Sequence, residues 1–115
     1  MSIKAVVLGA GGYVGGELLR LIATHPEFEF AAAVSESRKG DAIASTFANL
    51  SPAYKDQRFV GYDAWLDTVD AGDKLALFSA APHGASAALI SDALQSSQEK
   101  GVTVHVVDAL SLIHI

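Results

Sequence analysis

The stretch Gly9-Ala10-Gly11-Gly12-Tyr13-Val14-Gly15-Gly16 decides the fold, because it joins a strand-like run to a helical pattern. A pyrophosphate group binds where a tight turn brings backbone N–H groups and the positive end of a helix dipole within reach, and side chains would block that approach. The usual spacing G-x-G-x-x-G is not met, since Val14 is the sixth residue counted from Gly9. The spacing G-x-x-G-x-x-G fits instead, at Gly9, Gly12 and Gly15. The loop therefore predicts nucleotide binding, and an ordinary structural turn is the alternative.

The segments on either side of this glycine loop complete a β-α-β unit. Ile3–Leu8 is rich in β-branched residues and stops at glycine, as a buried parallel strand does. From Tyr13, apolar residues recur at helical spacing until Pro26, and the residue before a proline disfavours the helical conformation. Phe28–Val34 then alternates as a second strand. Two strands and a helix within about 30 residues have the size of one dinucleotide-binding unit.

The rest of the chain continues the alternation of strands with helices. Such alternation predicts parallel pairing, so we expect a Rossmann-type doubly wound α/β sheet of four or five strands, with the glycine loop at its carboxyl edge. We assign residues 1–109 to a single dinucleotide-binding domain. The remaining elements are expected as a helical turn at 42–47, a short strand at 58–61, a short helix at 64–69, a strand at 74–79, a helix at 84–97 and a strand at 102–107.

Composition excludes several classes of function. The 115 residues include 8 basic and 13 acidic side chains, with no basic cluster longer than Arg38-Lys39, so DNA or RNA binding is not expected. The longest apolar run, residues 30–34, is far shorter than a membrane span, and the first residues lack a signal-peptide layout. We therefore expect a cytoplasmic protein without a membrane partner. The chain has no cysteine and its four histidines form no metal-binding pattern, so neither a thiol nucleophile nor a metal site is expected within it.

The end of the second predicted strand bears on which nucleotide binds. An acid at this position favours NAD, whereas basic and hydroxyl groups accommodate the additional phosphate of NADP. The sequence offers both. Glu36 lies 21 positions after Gly15, and two serines and two adjacent cations surround it, namely Ser35, Ser37, Arg38 and Lys39. We expect NADP rather than NAD, and a solvated surface loop is the alternative interpretation of these charges.

Several segments resemble N-acetyl-γ-glutamyl-phosphate reductases, which contain stretches of the form GASGYxGxEL, FLALPHGxS and VVDLSADFR. The matching segments are residues 9–18, 25–27, 35–40, 77–86 and 106–108. They run in order, so the resemblance covers nearly the whole chain. The glycine loop is shared with aspartate-semialdehyde dehydrogenases, but Tyr13 together with Pro82-His83-Gly84 favours the reductase of arginine biosynthesis.

The resemblance implies an NADPH-dependent reduction of an acyl phosphate, N-acetyl-γ-glutamyl phosphate, to the semialdehyde. That chemistry uses a cysteine nucleophile and a histidine base, which the family carries beyond the end of this chain in a catalytic α+β domain. It also implies that this chain is an incomplete fragment and inactive alone, and that the complete protein takes a small-molecule substrate and forms a homo-oligomer. An aspartate-semialdehyde dehydrogenase-like enzyme and a non-catalytic Rossmann-type sensor are the alternatives.

The expected cofactor-binding residues fall in three groups. They are Gly9, Gly11, Gly12, Tyr13, Val14 and Gly15 in the glycine loop, Ser35, Ser37 and Arg38 after the second strand, and Ala81, Pro82 and His83 after the strand at 74–79. For His83, a place beside the nicotinamide and a purely structural place at a helix start are both open. The tail 110–115, Leu-Ser-Leu-Ile-His-Ile, departs from the family's pattern and resembles translated adapter sequence. We expect a non-native read-through there, with a native strand extension as the alternative.

Overall fold

Runs of apolar and β-branched residues form strands, and the two longest helical patterns form the main helices. The computed structural model of the chain describes residues 3–50, 52–80 and 86–108. The strands in these ranges are β1 (Ile3–Leu8), β2 (Phe28–Val34), β3 (Lys74–Ser79) and β4 (Thr103–Asp108). The helices are α1 (Tyr13–Thr24), α2 (Ile43–Thr46) and α3 (Ser86–Lys100), with 3-10 turns at Ala48–Leu50 and Trp65–Thr68.

The described strands form one parallel sheet in the order β2-β1-β3-β4. The predicted doubly wound parallel sheet is thereby confirmed. The chain passes from β1 outward to β2 and then returns to β3 on the other side of β1, so the strand order reverses at β1. In open α/β sheets, ligands bind at the carboxyl ends of the strands where this reversal occurs. The fold therefore indicates a ligand site at the loops that follow β1, β2 and β3.

The two faces of the sheet carry separate apolar clusters, as the alternation along β1 illustrates. Ala5 and Val7 are fully buried on the face that α1 covers. Val6 and Leu8 are fully buried on the opposite face, in a cluster with Trp65 and with apolar residues of α3. Residues 5–8 of β1 form a continuous apolar run because both faces of the sheet are covered there, which is typical of a central parallel strand.

The expected strand at 58–61 is wrong. This segment makes only isolated bridges in the described structure, a parallel one between Val60 and Val34 and an antiparallel one between Arg58 and Ala42. A turn begins immediately afterwards, where the carbonyl of Gly61 accepts a hydrogen bond from the N–H of Ala64. The expected short helix at 64–69 is a single 3-10 turn, Trp65–Thr68.

The last helix and strand differ from the expected boundaries by a few residues. Helix α3 continues to Lys100 and stops at Gly101, whose φ of +86° is a conformation that glycine adopts without strain. The N–H of Val102 donates to the carbonyl of Ser97, at the end of α3. The strand β4 begins at Thr103, one residue later than expected. The predicted helix start at 84 and the tail 110–115 lie outside the described residues. No helix within the described ranges is long and apolar enough to cross a bilayer.

Candidate functional site

The glycine loop follows β1 at the carboxyl edge of the sheet and opens α1. Gly9 has a φ of +70°, which turns the chain at the end of β1 in a conformation that favours glycine. The N–H of Ala10 donates to the carbonyl of Val34 at 2.9 Å, which ties the loop to the end of β2. Gly12 is the N-cap residue of α1 and provides no side-chain cap. The first N–H groups of a helix have no acceptor within the helix, so this end of α1 presents donors and a partial positive charge.

A side chain would meet different surroundings at three glycines of the loop. A Cβ atom on Gly15 would lie 2.4 Å from the carbonyl oxygen of Ala10, so the close approach of α1 to the loop requires glycine. A Cβ atom on Gly11 would lie 3.0 Å from Ser35 Oγ, which marks the contact between the loop and the segment after β2. A Cβ atom on Gly12 would meet nothing described within 4 Å. Gly12 is therefore the position where the fold leaves open space at the helix N-terminus.

The segment after β2 brings two predicted residues to the glycine loop. Ser35 is buried, and its N–H donates to the carbonyl of Val60. Arg38 lies beside Gly11, since a Cβ atom there would be 3.1 Å from Arg38 Cδ and 3.2 Å from Nε. Within the described ranges the guanidinium makes one long hydrogen bond, at 3.5 Å from Nη1 to Thr46 Oγ1. Ser37 is exposed, and its Oγ lies 3.4 Å from Ser35 Oγ. A hydroxyl and a cation thus flank the loop where β1 and β2 end.

Glu36 does not face the glycine loop, although its spacing suggested an acid near a ribose. Its Oε1 accepts a hydrogen bond from the N–H of Tyr62 at 2.7 Å, and its Oε2 lies 3.2 Å from Lys39 Nζ. The Tyr62 N–H, followed by the Lys39 ammonium, holds the pKa of Glu36 below its ordinary value of 4.5. The sequence did not predict Tyr62 as the hydrogen-bond partner of Glu36. The one local indication of a turn at this place was Gly61.

Tyr13 and Val14 occupy the first turn of α1. The ring of Tyr13 is 81% exposed, so it does not pack on the sheet. It borders a surface cavity of about 260 Å³ that is also lined by Gly16, Glu17 and Phe47. Val14 is half-buried.

The third expected group follows β3. Ala81, Pro82 and His83 lie outside the described residues, so their placement stays a prediction. The preceding residue, Ala80, donates its N–H to the carbonyl of Leu8 at 2.9 Å, which aligns the end of β3 with the start of the glycine loop. Ser79 is buried at this end, and its Oγ has no hydrogen-bond partner among the described atoms. Sequence reasoning did not single out this serine.

Comparison with known proteins identifies the family. A family model described as the semialdehyde dehydrogenase NAD binding domain matches residues 4–111. The chain belongs to the semialdehyde dehydrogenase family. The glycine loop and the segment after β2 thus lie within the residues that the family model matches, and family members are oxidoreductases.

Individual proteins to which the chain is similar include phosphate reductases and an aspartate semialdehyde dehydrogenase. An N-acetyl-gamma-glutamyl-phosphate reductase from Acidothermus cellulolyticus is 45% identical over 89 residues, which are 77% of this chain and 24% of that protein. A Haloarcula marismortui protein named as a LysW-L-2-aminoadipate or LysW-L-glutamate phosphate reductase is 42% identical over 97 residues, 84% of this chain and 26% of that protein. The structure of aspartate semialdehyde dehydrogenase with NADP from Candida albicans has a TM-score of 0.63 and 26% identity, and the match covers 92% of this chain and 29% of that one. The chain spans about a quarter of each relative's length.

Proposed function

We propose that this chain is the NADP-binding part of an enzyme that reduces N-acetyl-γ-glutamyl phosphate to the semialdehyde in arginine biosynthesis. The observation that carries the proposal is the contact of Ser35 and Arg38 with Gly11, beside the open helix N-terminus at Gly12. A dinucleotide with a 2′-phosphate needs donors for its pyrophosphate and a cation for the additional phosphate, and this edge of the sheet offers both. The 45% identity to a reductase of this name supports the substrate.

We assign the parts of the cofactor as follows. Gly11 and Gly12 would hold the pyrophosphate together with the first N–H groups of α1, including those of Tyr13 and Val14, while Gly9 and Gly15 shape the loop. Arg38 would hold the 2′-phosphate, with the hydroxyls of Ser35 and Ser37 as further donors. Ala81, Pro82 and His83, outside the described residues, are the residues that we expect beside the nicotinamide. NAD, which lacks the 2′-phosphate, binds more weakly.

The chemistry needs more residues than this chain contains. Bound NADPH supplies a hydride, and a cysteine thiolate is required to displace phosphate from the acyl phosphate before that hydride is accepted. The chain has no cysteine, so the nucleophile and its histidine base lie in a catalytic domain elsewhere in the complete enzyme. We further propose that residues 1–109 form the cofactor domain, that 110–115 are non-native, and that the complete enzyme is a cytoplasmic homo-oligomer without nucleic-acid or membrane partners.

A second candidate is an aspartate-semialdehyde dehydrogenase-like enzyme, which the likeness to the Candida albicans structure favours. The two candidates share the cofactor site and differ in the substrate that the missing domain takes. A non-catalytic sensor is the third reading. Assays of the complete enzyme with N-acetyl-γ-glutamyl semialdehyde or aspartate semialdehyde, each with NADP⁺ and phosphate, separate all three.

The cofactor site is tested by titrating NADPH into the chain and into the Gly12→Val variant. A valine side chain enters the open space at the helix N-terminus, and we expect the dissociation constant for NADPH to rise at least about tenfold, since a charge-assisted hydrogen bond contributes about 1.5–3 kcal/mol. Leu21→Ala, on the exposed side of α1, is the control and should bind like the wild type. Unchanged affinity in Gly12→Val would refute the pyrophosphate assignment. Turnover by the 115-residue chain alone would refute the need for an external cysteine.

A further inference from the structure

The turn after β2 presents its side chains in two opposite directions. Ser35 and Arg38 lie against Gly11. Glu36 and Lys39 lie on the other side, against the turn that begins at Gly61, where a Cβ atom would be 2.9 Å from Glu36 Oε1 and 3.2 Å from Lys39 Cδ. The missing side chain of Gly61 thus provides the room in which the Glu36 carboxylate sits. The acid that spacing assigns to the ribose is engaged within the protein.

The backbone of residues 58–62 holds both ends of this turn. At the first end, Ser35 N–H donates to the carbonyl of Val60, and Val60 N–H donates to the carbonyl of Ala33. At the other end, Gly40 N–H donates to the carbonyl of Phe59 at 2.9 Å. Between these ends, two side chains of the turn reach described residues outside it. The Glu36 carboxylate accepts a hydrogen bond from Tyr62 N–H at 2.7 Å, and Arg38 Nη1 makes the longer, 3.5 Å bond to Thr46 Oγ1. Backbone bonds hold the ends of the turn, and the bond from Tyr62 N–H to Glu36 is the shorter of these two side-chain bonds in its middle.

We propose that Glu36 is a positioning residue that fastens the turn to Tyr62 and so holds Arg38 toward the glycine loop, which makes Glu36 a determinant of NADP preference rather than a ligand of the ribose. The inference rests on the proposed function, because it concerns the same site. The hydrogen bond to Tyr62 carries most of the effect. It joins a charged acceptor to a fixed backbone donor, whereas the ion pair with Lys39 joins two side chains that are about half exposed.

The proposal makes a prediction of opposite sign to that of a ribose-binding acid. An acid that binds the 2′-hydroxyl favours NAD, so its removal weakens NAD binding and spares or improves NADP binding. An acid that positions Arg38 affects only the nucleotide whose phosphate Arg38 contacts. Its removal therefore weakens NADP binding and spares NAD binding.

The test is a fluorescence titration of the full chain with NADPH and with NADH, for the wild type and for four variants. We expect Glu36→Ala to raise the dissociation constant for NADPH about tenfold and that for NADH less than about threefold, the scale of one charge-assisted contact. Glu36→Gln keeps an acceptor for Tyr62 N–H and should restore NADPH affinity to within about threefold of the wild type. Lys39→Met should behave like Glu36→Gln. Glu29→Ala, an exposed glutamate at the other end of β2, should match the wild type.

Each other outcome has a definite meaning. Weaker NADH binding with unchanged NADPH binding in Glu36→Ala overturns the inference and assigns Glu36 to the ribose. Equal losses for both nucleotides, or no rescue by Glu36→Gln, also overturn it, because they indicate a general structural role or a direct role of the charge. If the wild type binds neither nucleotide, the proposed function fails and the inference falls with it. If the wild type prefers NADPH and Glu36→Ala binds both nucleotides normally, only the inference fails.

Discussion

The two ends of the sheet hold charged residues in contrasting states. At the amino end, Lys4 Nζ lies 3.0 Å from Asp73 Oδ2 and 3.9 Å from Asp70 Oδ2, and it donates to the carbonyl of Thr68 at 3.3 Å. At the carboxyl end, Arg38 has only the 3.5 Å bond to Thr46 among the described residues, and it lies beside a glycine loop with open space at Gly12. Lys4 is paired within the fold, whereas Arg38 makes one long hydrogen bond to the described residues.

The contrast shows why a cluster of charges in a sequence does not mark a site by itself. Four aspartates between residues 63 and 73 are close in sequence, yet two of them neutralise Lys4. No group of three metal-binding side chains occurs within the described ranges. A single arginine after β2 is more informative than the four aspartates, because it lies beside the glycine loop and makes one long hydrogen bond to the described residues.

The largest expected effect separates the two kinds of glycine at the carboxyl end. Gly15→Val should lower the free energy of unfolding by at least about 3 kcal/mol, because its Cβ atom would overlap the backbone of Ala10. Gly12→Val should cost about 1 kcal/mol or less, since only an N-cap preference is lost. Urea denaturation followed by the fluorescence of the buried Trp65 measures both. If both variants lost the same free energy of unfolding, the fold would require glycine at position 12 as much as at position 15. That result would contradict the proposed difference between the two glycines.

The second effect concerns Arg38, the cation at the carboxyl end of the sheet. Arg38→Ala should weaken NADPH binding by about 1–2 kcal/mol and leave NADH binding nearly unchanged, which is the scale of a charge-assisted bond to phosphate. Calorimetric titration measures both nucleotides. Arg20→Ala is the control, because Arg20 pairs with Glu17 on the surface of α1. Similar losses for NADPH and NADH would argue against a contact between Arg38 and the 2′-phosphate.

The smallest effect concerns Lys4, the paired cation at the amino end of the sheet. Lys4→Met should lower the melting temperature by about 2–4 °C at neutral pH and leave nucleotide affinity unchanged, because a partly exposed ion pair contributes little. Differential scanning calorimetry measures the first quantity, and the NADPH titration measures the second. A change in NADPH affinity would contradict the separation of the two ends.

The same pair predicts a pH dependence. The hydrogen bond to Asp73 raises the pKa of Lys4 above 10.5, so its contribution to stability is lost as the pH rises through that raised value. The N–H of Asp70, and then Lys4, lower the pKa of Asp73 below 3.8, so that contribution is lost as the pH falls through the lowered value. The stability difference between wild type and Lys4→Met should thus be widest between about pH 4 and pH 10. A difference that does not vary with pH would count against the pair.

Local spacing in the sequence was enough to predict the first β-α-β unit and the strand β3. The bounds of β1, β2 and β3 and the start of α1 agree with the expected ones, because a buried parallel strand and an amphipathic helix each impose a period that is readable over a few residues. The glycine loop was predictable for the same reason, since it is confined to eight consecutive residues. The segment 58–61 was not, because a single bridge beside β2 leaves no period to read.

What the sequence by itself determined is the β-α-β unit, its glycine loop and the presence of both an acid and a cation after β2. Only the tertiary structure decided that Ser35 and Arg38 face Gly11 while Glu36 turns to Tyr62. The partners of these side chains are 24 to 27 positions away in the sequence, so no local pattern contains them. The reversal of strand order at β1 brings those partners together, because parallel strands end at one edge and their following loops must pack there.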